Sequence, residues 1–296
     1  MRSIVLRSPN GQRIELTTAP PPNPYVFVSL DGQGTADATL YTAQAVLQSG
    51  ATALETLLEM RTLTVTLYVT GQTRQELDEN LLALNRLVNP LLGPTEITYT
   101  NAAGTYRIEG YLDNGLTQGA RAFHARPGHV VSVSLPFTCA DPFFSGLDQY
   151  EDSLRYLSGG FRFPVAFPAS FGVSGYERTI VNLGDTAAPI RIRIRGACSR
   201  ISVLNKTTNE SLTLTRELGR YEVLTIDTDP MHKSVTLEDL QLGTSRSAFS
   251  LIDITKPTHA YWQLQPGENL ISCDTEYEQE VVQVSLFWSD RYAGVS

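Results

Sequence analysis

A chain of 296 residues fits about two domains, each long enough to bury its own core. With 42% hydrophobic and 18% charged residues it suits a soluble globular protein of low surface charge, as subunits covered by neighbours and compact β proteins both carry. A net charge of −8 without a long basic run excludes the electrostatic footprint of a duplex nucleic-acid binder.

Most of the sequence alternates in short segments between turn residues, the signature of β architecture. Ser3 to Arg7 and Arg13 to Leu16 flank Pro9-Asn10-Gly11, where Asn-Gly supplies the positive φ that a hairpin needs. Thr18 to Pro24 carries several prolines and cannot be a central strand. Tyr25 to Leu30 is a strand ending at Asp31-Gly32. Gly34 to Glu59 is rich in Ala, Thr and Gln, and its poor periodicity reads as strands with a long connection. In Thr62 to Val69, Leu63, Val65, Leu67 and Val69 point one way and Thr62, Thr64, Thr66 and Tyr68 the other.

One helix stands out. Thr73-Arg74-Gln75-Glu76 is a capping box, in which the Thr hydroxyl accepts from the Glu76 amide and Glu76 reaches back. Leu77, Leu81, Leu84 and Val88 follow at helical spacing, a core stripe that must stop before Pro90. Glu96 to Thr100 and Thr105 to Leu112 form a hairpin around Asn101 to Gly104. Asp113 to Gly128 is a long excursion holding Arg121, His124 and Arg126, and Val130 to Phe137 returns as a strand.

The pattern breaks at Cys139-Ala140-Asp141-Pro142-Phe143-Phe144, which divides the chain into domains 1–144 and 145–296. An aromatic- and Gly-rich stretch, Tyr150 to Tyr176, opens the second domain. Strands follow at Arg178–Asn182, Pro189–Arg195, Ile201–Leu204, Leu212–Thr215, Tyr221–Asp227, Ser234–Leu237 and Glu280–Trp288. Short strands with turns between them are the pattern of a β-sandwich. The fold class is all-β, with two sandwich-type domains and one helix in the first.

No catalytic constellation emerges. There is no G-x-S-x-G, H-E-x-x-H, Walker A or G-x-G-x-x-G, so the chain reads as non-enzymatic, with no catalytic, metal or cofactor-binding residues. Cys139, Cys198 and Cys273 are far apart and odd in number, which argues against a disulfide framework or zinc and for reduced thiols. His124, His129, His232 and His259 have no metal-ligand spacing. Asp227-Thr228-Asp229-Pro230 lacks the further oxygens of a calcium loop and reads as a turn. Glu276, Glu278 and Glu280 read as a solvated face or an interface edge. Arg191, Arg193 and Arg195 alternate with Ile190, Ile192 and Ile194, so the arginines face outward, as a polar face or a contact to a partner. Trp262 and Trp288 serve either as sandwich core or as the floor of a sugar groove. Basic charge is mostly Arg, with lysine only at Lys206, Lys233 and Lys256, which suits an interface or is an accident of composition. Met1 to Pro9 holds no signal-like apolar stretch, and no window reaches the ~18 apolar residues of a membrane anchor.

Several stretches resemble, in order, the distal tail protein family of long-tailed bacteriophages. They are the early hairpin, the strand ending Asp31-Gly32, the strand opened by Arg61, the single helix, and Asp141-Pro142-Phe143-Phe144. In the second half they are Gly184-Asp185-Thr186 leading into Pro189-Ile190-Arg191-Ile192, Ile226-Asp227-Thr228, Leu264 to Ile271 around Pro266-Gly267, and Arg291-Tyr292-Ala293-Gly294-Val295. The resemblance implies an N-terminal belt domain that closes into a six-fold ring and a C-terminal galectin-like sandwich that projects from it. It implies a homo-hexamer between the tail tube protein and the tail hub or tip protein, with the tape-measure protein or DNA passing through the lumen only as cargo. The protein would then be a virion component at the tail tip, assembled in the host cytoplasm. The alternative is a carbohydrate-binding module that contacts host-surface glycans. The Asp113–Gly128 excursion has no place in the family pattern.

Overall fold

A computed structural model of the chain describes residues 2–18, 23–118, 129–155, 176–198, 200–253, 261–274 and 282–296. Arg121, His124, Arg126, His259, Glu276, Glu278 and Glu280 lie outside these residues, as does most of the aromatic- and Gly-rich stretch. One unit comprises Met1–Leu147 with Tyr292–Ser296, and the other Asp148–Arg291. The sequence pattern places the break at 144/145 and keeps 292–296 with the second domain. The structure gives those last residues to the first unit, because Val295 is buried in its core and donates its N–H to the Gln33 carbonyl at 2.8 Å.

In the first unit, alternation decides which face each strand buries. β1 (Ser3–Arg7) turns Ile4 and Leu6 inward and pairs antiparallel with β2 (Arg13–Leu16). In the turn between them Gly11 takes φ +88° and the Asn10 side chain accepts from the Gln12 N–H at 3.1 Å. β3 (Tyr25–Asp31) follows, with a bulge at Val28. β4 (Ala38–Ala43) and β5 (Thr52–Leu58) form a two-stranded sheet of their own. β6 (Arg61–Gly71) then runs through the core, as does β10 (His129–Cys139), which pairs with it along its whole length. Between them come α1 (Arg74–Leu87), β7 (Thr95–Thr100), β8 (Thr105–Leu112) and the short β9 (Thr117–Gln118); β11 (Phe144–Gly146) ends the series. The strand order is β2-β1-β7-β8-β10-β6-β3. A parallel bridge between Thr17 and Val26 joins the two ends, so the two halves of the sandwich meet along one edge. That bridge covers both sheet edges at this one point.

α1 is the one α-helix among the described residues. The Thr73 hydroxyl accepts from the Glu76 N–H at 3.1 Å. Glu76 reaches back one residue further than a capping box requires, and its carboxylate accepts from the Gln72 N–H at 2.8 Å. Leu77, Leu81, Leu84 and Val88 are all buried, as their spacing predicts.

The second unit is a sandwich of two antiparallel sheets. One has the order β12 (Tyr150–Arg155), β21 (Gln283–Trp288), β14 (Ile190–Arg195), β17 (Glu222–Asp227), β18 (Ser234–Asp239), β19 (Thr244–Ser247). The other has the order β13 (Tyr176–Asn182), β20 (Gly267–Asp274), β15 (Ser202–Asn205), β16 (Glu210–Thr213). Ile190, Ile192, Ile194, Leu224, Ile226 and Leu286 share a core with Ile180, Val203, Leu212, Ile271 and Trp262. Trp262 and Trp288 are both buried, so they belong to the core and floor no groove.

Candidate functional site

Unlike the core strands of the first unit, the β4–β5 hairpin buries neither of its faces. Its residues are exposed on both faces, with burial falling to intermediate only at Thr39 and Leu58. Cross-strand pairing puts Thr39 with Leu57 and Tyr41 with Glu55 on one face, and Ala38 with Leu58 and Leu40 with Thr56 on the other. Large apolar side chains therefore stand on both sides. Leu54 is 67% exposed, and Val46 and Leu47 in the connecting loop are 93% and 99% exposed. A hairpin without a third strand or a covering layer is marginal in water. Its two outer edges also carry unpaired main-chain groups. Such edges are ordinarily guarded by Lys or Pro, yet residues 34–60 contain neither, and their only charges are Asp37, Glu55 and Glu59. Both the apolar faces and the open edges call for a covering partner.

The root of the hairpin is built differently. Arg61, 2% exposed, opens β6 and directs its guanidinium at main-chain carbonyls. Nε donates to Pro142 at 2.6 Å, Nη1 donates to Gly32 at 2.6 Å and also to Gly34, and Nη2 donates to Ala293. The Phe144 ring centroid lies 4.7 Å from the guanidinium carbon. Burial pulls the Arg61 pKa below its ordinary value, and the adjacent Cys139 opposes that shift. The family motifs at Arg61 and Asp141 to Phe144, with the Tyr292 to Val295 part of the last motif, thus read as parts of one clasp in the first unit, or as its flanks. In the second unit the Gly184 motif closes on Arg291. The Asp185 and Thr186 amides donate to the Arg291 carbonyl at 3.1 and 3.3 Å, and a Cβ on Gly184 would meet the Arg291 nitrogen at 2.6 Å. At Pro266-Gly267, Gly267 takes φ +88°, and the buried Asn269 accepts from the Gln265 N–H at 2.9 Å.

The arginine stripe of β14 faces outward while its isoleucines are buried, as expected. Arg191 pairs with Asp227 at 2.9 Å. Register aligns Ser153, Ser285, Arg193, Thr225, Thr236 and Ser247 in one row across the sheet. A cavity of about 410 Å³ lies on this face, lined by residues that include Glu151, Arg193, Thr225, Glu238 and Phe287.

Asp227 and Asp229 form a turn, accepting from the Asp229 and Met231 amides, each at 3.0 Å. His129 opens β10 at the surface, and His232 lies 3.5 Å from Asp229. Cys139, Cys198 and Cys273 are buried, and burial pushes the thiols of Cys139 and Cys273 up to about 12. Among the described residues no group of three potential metal ligands gathers, and no helix is long and apolar enough to cross a membrane. The hairpin escapes the alternation test, because a segment apolar on both faces shows no period of two. The readable signal is a stretch with leucines but no basic guard residue.

Family comparison joins both units. Residues 10–139 match the phage tail protein RIFT-related domain, and residues 184–292 match the siphovirus-type tail component, C-terminal domain. The fold is similar to that of the Dit protein of phage SPP1, described as a paradigm of the hub adsorption apparatus in Gram-positive-infecting phages. The TM-score is 0.65 at 14% identity, covering 97% of this chain and 98% of that one. A chain of the phage P2 baseplate in its activated conformation with calcium aligns at TM-score 0.56 and 11% identity, over 100% of both chains. The same baseplate with strontium gives 0.54 and 9%, over 97% of this chain and 98% of the other. No curated protein sequence matches the chain. With both domain families present in order, the chain belongs to the phage distal tail protein family, as a tail component.

Proposed function

We propose that the protein is a ring subunit. Six copies close a belt through their first units, and each β4–β5 hairpin lies on the neighbouring copy. The observation that carries this reading is the hairpin itself, exposed and apolar on both faces with both edges open. Covering it with another copy buries side chains at ~1.5–3 kcal/mol for each fully transferred Leu or Val, set against the entropy lost on association. A contact in which the hairpin of one copy meets a different surface on the next is heterologous, and such contacts form a ring when the rotation between copies closes. The six-fold count rests on the family resemblance. The ring joins the tail tube protein to the hub or tip protein at the end of the virion tail, after assembly in the host cytoplasm. The tape-measure protein and DNA pass through its lumen as cargo, and the protein performs no catalysis.

Negative-stain electron microscopy and mass photometry of the full chain test this. Rings of six subunits are expected, and Leu47→Asp/Leu54→Asp should yield monomers with an unchanged far-UV circular dichroism spectrum. A wild-type chain that stays monomeric at high concentration would contradict the reading.

A second reading, in which the protein also contacts host-surface glycans, is supported by the cavity on the β14 face. Its two guanidinium groups, two carboxylates and the Thr225 hydroxyl offer both donors and acceptors to a polyhydroxylated ligand, and Phe287 offers an aromatic edge. Glycan-array binding by the full chain, lost in Arg193→Ala, is the expected result; no binding to any glycan removes this second role.

A further inference from the structure

The hairpin meets the rest of the first unit at its root, and that root is fastened to residues far along the chain. The Asp37 carbonyl accepts from the Glu59 N–H at 2.7 Å, which closes the base of the arm. Beside it, the Gln33 carbonyl accepts from the Val295 N–H at 2.8 Å, and Arg61 bridges Gly32 and Gly34 to Ala293. Gly294 lies so close that a Cβ there would stand 2.9 Å from the Gly34 carbonyl carbon and 2.9 Å from the Thr35 nitrogen. Asn101 holds the Val295 carbonyl through its Nδ2 at 2.9 Å. The segment 293–295 therefore packs directly on residues 33–35, from which the arm departs.

We propose that Arg61 and residues 293–295 form a latch that sets the direction of the β4–β5 arm and delays it until the second unit has been made. This rests on the reading of the hairpin as the assembly arm. The guanidinium is suited to the task. Its planar fork of five fixed donors holds four carbonyls at once, one more than the three rotatable donors of a lysine can serve. A buried guanidinium is costly without such acceptors, so losing the Ala293 carbonyl also weakens its hold on Gly32 and Gly34. Arg61 and Ala293 are 232 residues apart. At the usual ~5–20 residues per second, ribosomes need on the order of ten seconds or more to bridge that distance. During that time the arm leaves a root that lacks its clamp. A subunit without a finished second unit thus cannot present its arm in the assembling direction, and incomplete chains are kept out of the ring. Arg61 and Gly294 are positioning residues in this scheme, since neither belongs to the arm.

The test uses the full chain, its Gly294→Val and Arg61→Lys variants, and a chain stopped after Arg291. Mass photometry reads the oligomer fraction, and hydrogen exchange compares hairpin amides with those of β6 and β10. All three altered chains should lose at least ten-fold in oligomer at a concentration where wild type assembles. Exchange should quicken in residues 33–60 while β6 and β10 keep their protection. Normal assembly of the chain stopped after Arg291, or of Gly294→Val, overturns the latch. Equal loss of protection in the hairpin and in β6 and β10 also overturns it, since the segment would then be an ordinary part of the core. Wild type that forms no oligomer indicts the ring reading instead.

Discussion

In the β7–β8 hairpin, Ile97, Tyr99 and Ile108 turn into the core while Glu96, Arg107 and Glu109 face away from it. Only a few dozen residues earlier, the β4–β5 hairpin sends Leu57 and Tyr41 to one face and Leu40 to the other, and neither face is covered. Both hairpins are antiparallel and of similar length. They differ in what supplies the apolar surface opposite. For β7–β8 it is the same chain, so one face is apolar and the period is two. For β4–β5 no described residue of the chain supplies that surface, and in the proposed ring a second copy does. On that reading, loss of alternation in a well-formed strand pair marks surface made for assembly.

The largest contrast comes from paired truncations. Ile97→Ala removes a fully buried side chain and should destabilise the subunit by about 2–5 kcal/mol, read by urea denaturation. Leu54→Ala should change the stability of the isolated subunit by no more than about 0.5 kcal/mol while weakening assembly. Equal costs for the two would break the distinction between the hairpins. A smaller effect is expected at the helix. Thr73→Ala removes the hydroxyl that caps α1 and should cost about 1 kcal/mol, measured in the same way.

A further effect appears only in alkali. Burial raises the Cys139 and Cys273 thiols from 9.0 to about 12. The folded state then keeps protons that the unfolded state releases. Stability from these groups is present below pH ~9 and falls as pH rises towards ~12, because the unfolded chain binds fewer protons there. Denaturation midpoints of wild type should decline across that window more steeply than those of Cys139→Ala/Cys273→Ala. Parallel curves would show that the two thiols do not titrate differently on folding.

Much of the fold is legible in the sequence wherever one face of an element is buried by the same chain. Leu63 to Val69, the Leu77 stripe and Ile190 to Ile194 each announce their inward face by period alone. β12 and β19 escape notice for opposite reasons. Tyr150 to Arg155 sits inside an aromatic- and Gly-rich stretch that masks its period, and Thr244 to Ser247 is an exposed edge strand with no apolar residue to mark it. β20 hides because Glu268, Asn269 and Ser272 interrupt its apolar run, although Asn269 is buried as a turn-bracing side chain. The clasp around Arg61 was legible only as separate motifs. Nothing local in Arg61 tells that its guanidinium meets the carbonyl of Ala293, since that contact depends on tertiary closure.

Hydrogen–deuterium exchange of the hairpin amides in wild type, compared with the monomeric Leu47→Asp/Leu54→Asp variant, measures whether another copy covers the arm. Residues 38–58 should exchange at least ten-fold more slowly in the oligomer than in the variant, while the β6 and β10 amides match in both. An oligomer whose hairpin exchanges as fast as that of the monomer would contradict the account, because the copies would then be joined through some other surface.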